Sequence, residues 1–239
     1  MSAFIDVYEN SKLEIDTCEF ENIFSIGSGS VLLANYKENE IDITNSNFLN
    51  NYSILGGVFY AQFASKITCT TCTFENNVAI RGGVAFLNSN GIIHLTDSTM
   101  SNNRALNAPV TYISACNADY SQFDNVTITD NVLITMDELL DPANNGVGDL
   151  DSKFVDQVST NREFYEKSVS GSKMSMVSMI KGKIKILNQS RVFRQPNFLA
   201  SFESEIIMED STVEEIDVDT DQVVFHLLST NAYIRRSTI

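Results

Sequence analysis

The sequence predicts an all-β parallel solenoid carrying one inserted segment of loop and short helix. A motif of about 26 residues recurs in one register along most of the chain. Each copy holds short alternating apolar stretches with too little room for a helix, and Asn and Gly return at fixed offsets within it.

The register is set by two stretches, "FLNNYSILGGVFY" (Phe48 to Tyr60) and "FENNVAIRGGVAF" (Phe74 to Phe86), which agree at Phe, Asn-Asn and Gly-Gly. Aligned on that Phe, the anchors are Phe20, Phe48, Phe74, Met100 and Ile128, with spacings of 28, 26, 26 and 28. Ahead of each anchor runs an alternating stretch. Leu13, Ile41, Ile67 and Ile93 share one position, and Ile15, Ile43, Cys69 and Leu95 share another. Strict alternation reads as a strand with one buried face. Behind the anchors stand Asn22, Asn50, Asn76 and Asn102, then Asn51, Asn77, Asn103 and Asn131, and further on Gly29, Gly57 and Gly83.

Repeats of this length with two or three strands stack turn upon turn at about 4.8 Å, so equivalent residues form ladders. An Asn at a bend can bond to the Asn and backbone of neighbouring turns, satisfying polar groups otherwise stranded there. Glycine at the next corner permits angles and a close approach that a Cβ would forbid. A sandwich with Asn- and Gly-rich turns is the alternative, but hairpins do not readily give four successive turns in one register.

"GKIKILNQSRVF" reads as a shorter, degenerate turn, "IIMEDSTVEE" places Val213 as an anchor, and "AYIRRSTI" places Ile239. The expectation is one domain over residues 1–239, interrupted by an insertion at about 137–175. The insertion opens on turn signals, Asp141-Pro142 and Asn145-Gly146. Asp151-Ser152 can then cap a short helix carrying Phe154, Val155, Val158 and Phe164.

Gly56-Gly57-Val58, Gly82-Gly83-Val84, Phe48 to Asn51 and Phe74 to Asn77, with Cys18 and Cys72 two residues before a Phe, carry a family resemblance. The repeat resembles the right-handed parallel β-helix repeats of the pectin-lyase-like class. It is most similar to the polymorphic outer-membrane-protein type found in large secreted proteins of protists. The resemblance implies a right-handed β-helix and an extracellular, secreted location; β-helices host adhesins, filaments and polysaccharide enzymes alike. The later turns depart from it, lacking Gly-Gly and the Asn after Val213 and Ile239.

A net charge of −15 disfavours nucleic acid and anionic membrane as partners and suits divalent cations, basic partners or simple solubility. No apolar run approaches the ~18 residues of a membrane span, and "MSAFIDVYEN" has neither the basic start nor the apolar core of a signal peptide. The first residues already read as strand and the last stop on an anchor, so the chain reads as cut from a longer one. Cys18 and Cys72 share the inward register of Ser46 and Ser98; two turns apart, at ~9.6 Å, they are too far for a disulfide. Cys69 and Cys72 read as a buried thiol pair. Cys116 has no register partner and is the candidate for a bond to another chain. Of the sequons at Asn51, Asn125 and Asn188, the first belongs to the Asn ladder.

Glu14 and Asp42 share one outward register, continued by Thr68 and His94, but the sequence places no Arg or Lys beside them. A Thr-rich face suits a plain sheet, and the chain reads as a non-enzyme. Glu209 is expected to stack on Arg235, and Asp210 on Arg236. Asp217, Asp219 and Asp221 share an outward edge where strand-spaced carboxylates repel unless a hard cation intervenes, so calcium is the expected ligand. A weaker calcium site is expected at Asp141, Asn145, Asp149 and Asp151. Phe20, Phe48, Phe74, Tyr60, Phe86 and Tyr112 are all assigned inward. The functional expectation is a structural subunit of an extracellular fibre, coat or matrix, joined head to tail to copies of itself through uncapped turns. The alternative is a β-helix that binds or cleaves extracellular polysaccharide.

Overall fold

The structure is a computed structural model describing residues 3–170, 175–194, 198–215 and 224–239. It is an all-β parallel solenoid of about eight turns, with three short helices among the described residues.

Four ladders run along it. The first begins with Lys12–Asp16, Glu40–Thr44, Lys66–Thr70 and Ile92–Thr96. It passes through the long strands Thr111–Asp124 and Val177–Leu187, then ends on Glu205–Glu209 and Asn231–Arg235. The second holds the anchors: Phe20, Phe48, Phe74, Met100, Ile128, Val192 and Val213 stack residue on residue. The third comprises Tyr52–Leu55, Val78–Arg81, Arg104–Asn107 and Val132–Leu133. The fourth starts at Ile5–Val7, shares the two long strands with the first, and ends at Leu199–Phe202 and Phe225–Leu228. The early turns thus carry four strands each, where the repeat suggested two or three.

The core is the stack of inward side chains, with Phe48, Phe59, Phe74, Ile41, Ile67 and Phe123 fully buried. Stacking puts like on like: the rings of Phe20 and Phe48 lie 5.2 Å apart and those of Phe48 and Phe74 5.0 Å apart, each pair nearly parallel. The two members of each Asn pair have separate tasks. The first takes the left-handed corner conformation (Asn50 φ 54°, Asn76 φ 54°, Asn102 φ 56°), which Asn tolerates better than most residues. The second is buried and builds the ladder. Asn77 Nδ2 donates to Phe48 O (2.9 Å) and Asn103 Oδ1 (3.0 Å), while Asn77 Oδ1 accepts from Asn51 N (3.0 Å) and Asn51 Nδ2 (3.1 Å). Gly82 and Gly83 divide their work similarly. Gly82 sits at φ +69°, and a Cβ on Gly83 would run into the Pro109 carbonyl of the next turn.

The helices α1 (Met136–Leu140), α2 (Ser152–Thr160) and α3 (Arg162–Ser170) lie between the third and fourth ladders in sequence and dock on the third from outside. Thr135 and Glu138 form a reciprocal capping box on α1, and Asp151 caps α2 by accepting from Lys153 N at 2.8 Å. Phe154, Val158, Tyr165 and Val169 pack with Tyr52, Ile54, Val78, Ile80 and Leu106 in a second core. Tyr52 Oη accepts from Asp151 N at 2.8 Å, and Arg81 donates to Ser168 O.

Two assignments are corrected here. Phe164 is 68% exposed and its neighbour Tyr165 takes the buried position, because the expected single helix is two: α2 ends at Thr160 and α3 starts afresh at Arg162, so the phase of Phe154 and Val158 does not carry over. Phe59, not Tyr60, points into the main core. Tyr60, Phe86 and Tyr112 instead stack outside the fourth ladder at 5.5 and 5.0 Å, sheltered with Ala108 and Leu55.

Candidate functional site

Two surfaces stand out from the regular lattice: the open ends of the ladders and a shallow groove on the outer face near the last turns.

At the last turn, Ala232 and Ile234 pair with Ile206 and Met208, which are fully buried. Their own side chains occupy the same inward rows, yet the whole strand is exposed, Ile234 to 40%. Leu227 and Leu228 on the fourth ladder are likewise exposed. Ala232, Ile234 and Leu227 continue inward rows, whereas Leu228 continues the outward row of Ile180 and Phe202; the outer edge of a parallel strand is ready to pair. Arg235 reaches back to Glu209 (3.4 Å), and Arg236 grips Asp210 with two bonds (2.7 and 2.8 Å), as the register predicts. The hydrogen bonds and charge of Arg236 lower the pKa of the Asp210 carboxyl. The opposite end carries Phe4, 68% exposed and edge-on to Phe20. Lys12 lies 3.0 Å from Glu14 and 4.0 Å from Asp42, all three solvated. That corrects the expectation of no base beside this carboxylate pair: residues two apart on a strand share a face.

The groove, about 390 Å³, is lined by Lys185, Leu187, Ile207, Glu209, Tyr233 and Arg235, from two neighbouring outward rows of the first ladder over three turns. Beside it the Tyr120 ring receives Lys185 at 4.4 Å and Lys183 at 5.3 Å. Burial and the nearby Glu205 carboxylate push the Tyr120 phenol up to about 12, so it stays a neutral donor. Aromatic faces, aliphatic floor and charges of both signs suit a polar ligand with an apolar face.

Asp217, Asp219 and Asp221 lie outside the described residues. In the insertion, Asp141 Oδ1 accepts from Ala143 N (3.0 Å). Asn145 is buried, its Oδ1 taking Val147 N and Gly148 N (both 2.9 Å), and Asp151 caps α2. Asp149 is exposed. These oxygens are engaged in local turns, and among the described residues no group of three or more His, Cys, Asp or Glu is gathered to hold a metal ion.

The cysteines are free. Cys69 and Cys72 form the buried pair; burial raises the Cys69 thiol well above its usual range, while its hydrogen bond lowers Cys72. Cys116, the expected cross-linking thiol, is instead buried, bonded to Ser114 O (3.2 Å) and pushed up to about 11 by desolvation. It sits on the long strand just before the ladder shifts register and pairs with Gly182 of the next turn, which corrects the expectation that it has no register partner. Cys18, at the corner of the first turn, is the exposed thiol. His94 Nε2 lies 3.1 Å from Tyr120 O, and burial lowers its pKa.

The class these features define is a parallel β-solenoid with a helical cover on one face. No family model, curated protein or solved structure matches the chain.

Proposed function

We propose that the chain is a structural rod segment of an extracellular fibre, coat or matrix, lengthened end to end through its open turns. The observation that carries this reading is the exposure of Ala232 and Ile234 in rows whose members in the preceding turn, Ile206 and Met208, are fully buried. Burying such residues under another turn gains both apolar contact and a set of backbone hydrogen bonds. The two ends differ in sequence, so the contact is head to tail and propagates rather than closing. The motif resemblance to right-handed outer-membrane-protein-type repeats supports the extracellular location. Sedimentation velocity of the 239-residue chain over a wide concentration range tests the reading. Elongating species that grow with concentration support it; a single monomeric species throughout overturns it.

A second reading, binding of extracellular polysaccharide, is favoured by the groove at Tyr233, Lys185 and Glu209. Sugar rings stack on aromatic faces and bond to flanking charged groups. Glycan-array binding lost in Tyr233→Ala supports it, and an array without signal removes it.

A further inference from the structure

We propose that the corner carrying Asn125 and Asn188 is a site of N-linked glycosylation. This goes beyond the structural reading but rests on its extracellular part, because the sugar donor is met on the secretory route.

The chain holds three Asn-x-Ser/Thr motifs, at Asn51, Asn125 and Asn188. A glycan is bulky and polar and has to stand in water, so the fold separates the three. Asn51 is fully buried. Its Nδ2 spends both hydrogens inside, on Phe20 O (2.9 Å) and Asn77 Oδ1 (3.1 Å). A sugar on that nitrogen would break one of these bonds and has no space in the core. Asn125 and Asn188 are both exposed, and both take the left-handed corner conformation, at φ 52° and 48°.

These two motifs, far apart in sequence, meet on one edge of the rod. Asp124 pairs with Leu187, and Asn125 N donates to Leu187 O at 3.2 Å. Asn125 and Asn188 are therefore successive rungs of one column, about 4.8 Å apart. The column lies between the first and second ladders, whereas the helical cover packs on the third and leaves this edge open.

The edge suits the chemistry as well. In the transfer, Nδ2 attacks the anomeric carbon of an oligosaccharide carried on a polyprenyl diphosphate. The new C–N bond replaces the C–O bond, the amide loses one proton, and the diphosphate leaves with the electron pair. Asn125 Nδ2 makes one hydrogen bond among the described residues, to Asp97 Oδ1 at 2.6 Å. The modified nitrogen keeps one N–H, enough to retain that bond. The glycan then projects sideways, clear of the inter-turn hydrogen bonds, which run along the rod. The Ser53 and Ser190 hydroxyls of two of the motifs are buried in the folded turns, so transfer there precedes folding. Selection then falls at folding: a chain modified at Asn51 cannot complete its Asn column, and one modified at the corner can.

The full chain, expressed behind a secretory leader in a eukaryotic cell, provides the test. Folded protein from the secretory lumen and medium is treated with peptide N-glycosidase in heavy-oxygen water, which turns each glycosylated Asn into labelled Asp. Mass spectrometry is expected to find the label at Asn125, at Asn188 or at both, and not at Asn51. Asn125→Gln with Asn188→Gln should lose both the label and the gel shift. Its circular dichroism melt should match wild type, since both side chains are solvated, and the wild-type mapping stands without it. Folded protein with no label at either corner Asn, or with label at Asn51, overturns the assignment and leaves the extracellular reading in place. Localisation of the natural chain tests that reading separately: a chain kept in the cytosol overturns both.

Discussion

The first five turns and the last three are held together differently. In the early turns a buried column of Asn51, Asn77, Asn103 and Asn131 links each turn to the next through side-chain and backbone bonds, and helices cover the third ladder. In the later turns that column has no continuation among the described residues. Beyond the backbone ladder, neighbouring turns there are tied by single buried serine hydroxyls, such as Ser204 and Ser211, and by ion pairs on the outer surface: Lys181–Glu203 (3.2 Å), Lys183–Glu205 (3.6 Å), Arg191–Glu214 (2.6 Å) and Arg236–Asp210 (2.7 Å). A buried, fully satisfied amide is expensive to remove, because its partners are left without water. A solvated ion pair is cheap to lose. The early half is therefore expected to lose more stability than the later half when a single inter-turn link is removed.

The largest expected effect breaks the early half. Asn77→Leu deletes four hydrogen bonds and strands the buried Asn51 N–H and Phe48 carbonyl, for a loss of about 4 kcal/mol read by denaturant unfolding. A melt within a degree of wild type would remove the ladder argument. Phe154→Ala empties a fully buried site between α2 and Tyr52 and should cost about 3 kcal/mol. Hydrogen exchange should locate that loss in the helices and the third ladder; uniform exchange throughout the chain would show that the cover and the rod are one cooperative unit.

Gly83→Val drives a side chain into the Pro109 carbonyl and should cost about 2–3 kcal/mol, again in the early half. Ser211→Ala, by contrast, removes corner bonds to Ile186 O (3.3 Å) and Glu209 O (2.8 Å) in the later half. Its expected cost is about 1 kcal/mol. Equal costs for the two would erase the contrast between the halves.

The smallest effect concerns pH. The folded Cys116 thiol titrates at about 11, above its ordinary 9.0. The folded state thus holds its proton longer than the unfolded one, and this contribution is full below about pH 9 and fades towards pH 11. Cys116→Ala should flatten that part of the stability profile relative to wild type. Profiles that stay parallel would place the slope elsewhere.

The repeat was legible because its anchors stack without exception from Phe20 to Val213, and because Asn and Gly mark the corners chemically. What could not be read was side-chain parity beyond a corner. Between Asn77 and Phe86 the chain turns at Gly82-Gly83, and alternation restarts there, so Tyr60, Phe86 and Tyr112 were assigned to the wrong face. Helix phase has a similar limit: Phe164 and Tyr165 are adjacent, and only docking on the third ladder selects which is buried. The groove was hidden for another reason. Its rows join Lys185, in the degenerate turn, with Ile207 and Tyr233, and that turn has no anchor motif from which to count. Cys116 misled because its register partner, Gly182, lies in the degenerate turn, where no repeat motif marks the pairing.

The central claim is that this chain is a length of rod that continues at its ends. Fibre diffraction from oriented, concentrated protein tests it most directly. Strands perpendicular to the rod axis give a meridional reflection at about 4.8 Å, and about eight turns per copy add an axial repeat near 38 Å. Both reflections on one axis are the expected result. A 4.8 Å reflection without the longer repeat, or scattering from unoriented monomers alone, would contradict continuation through the open turns.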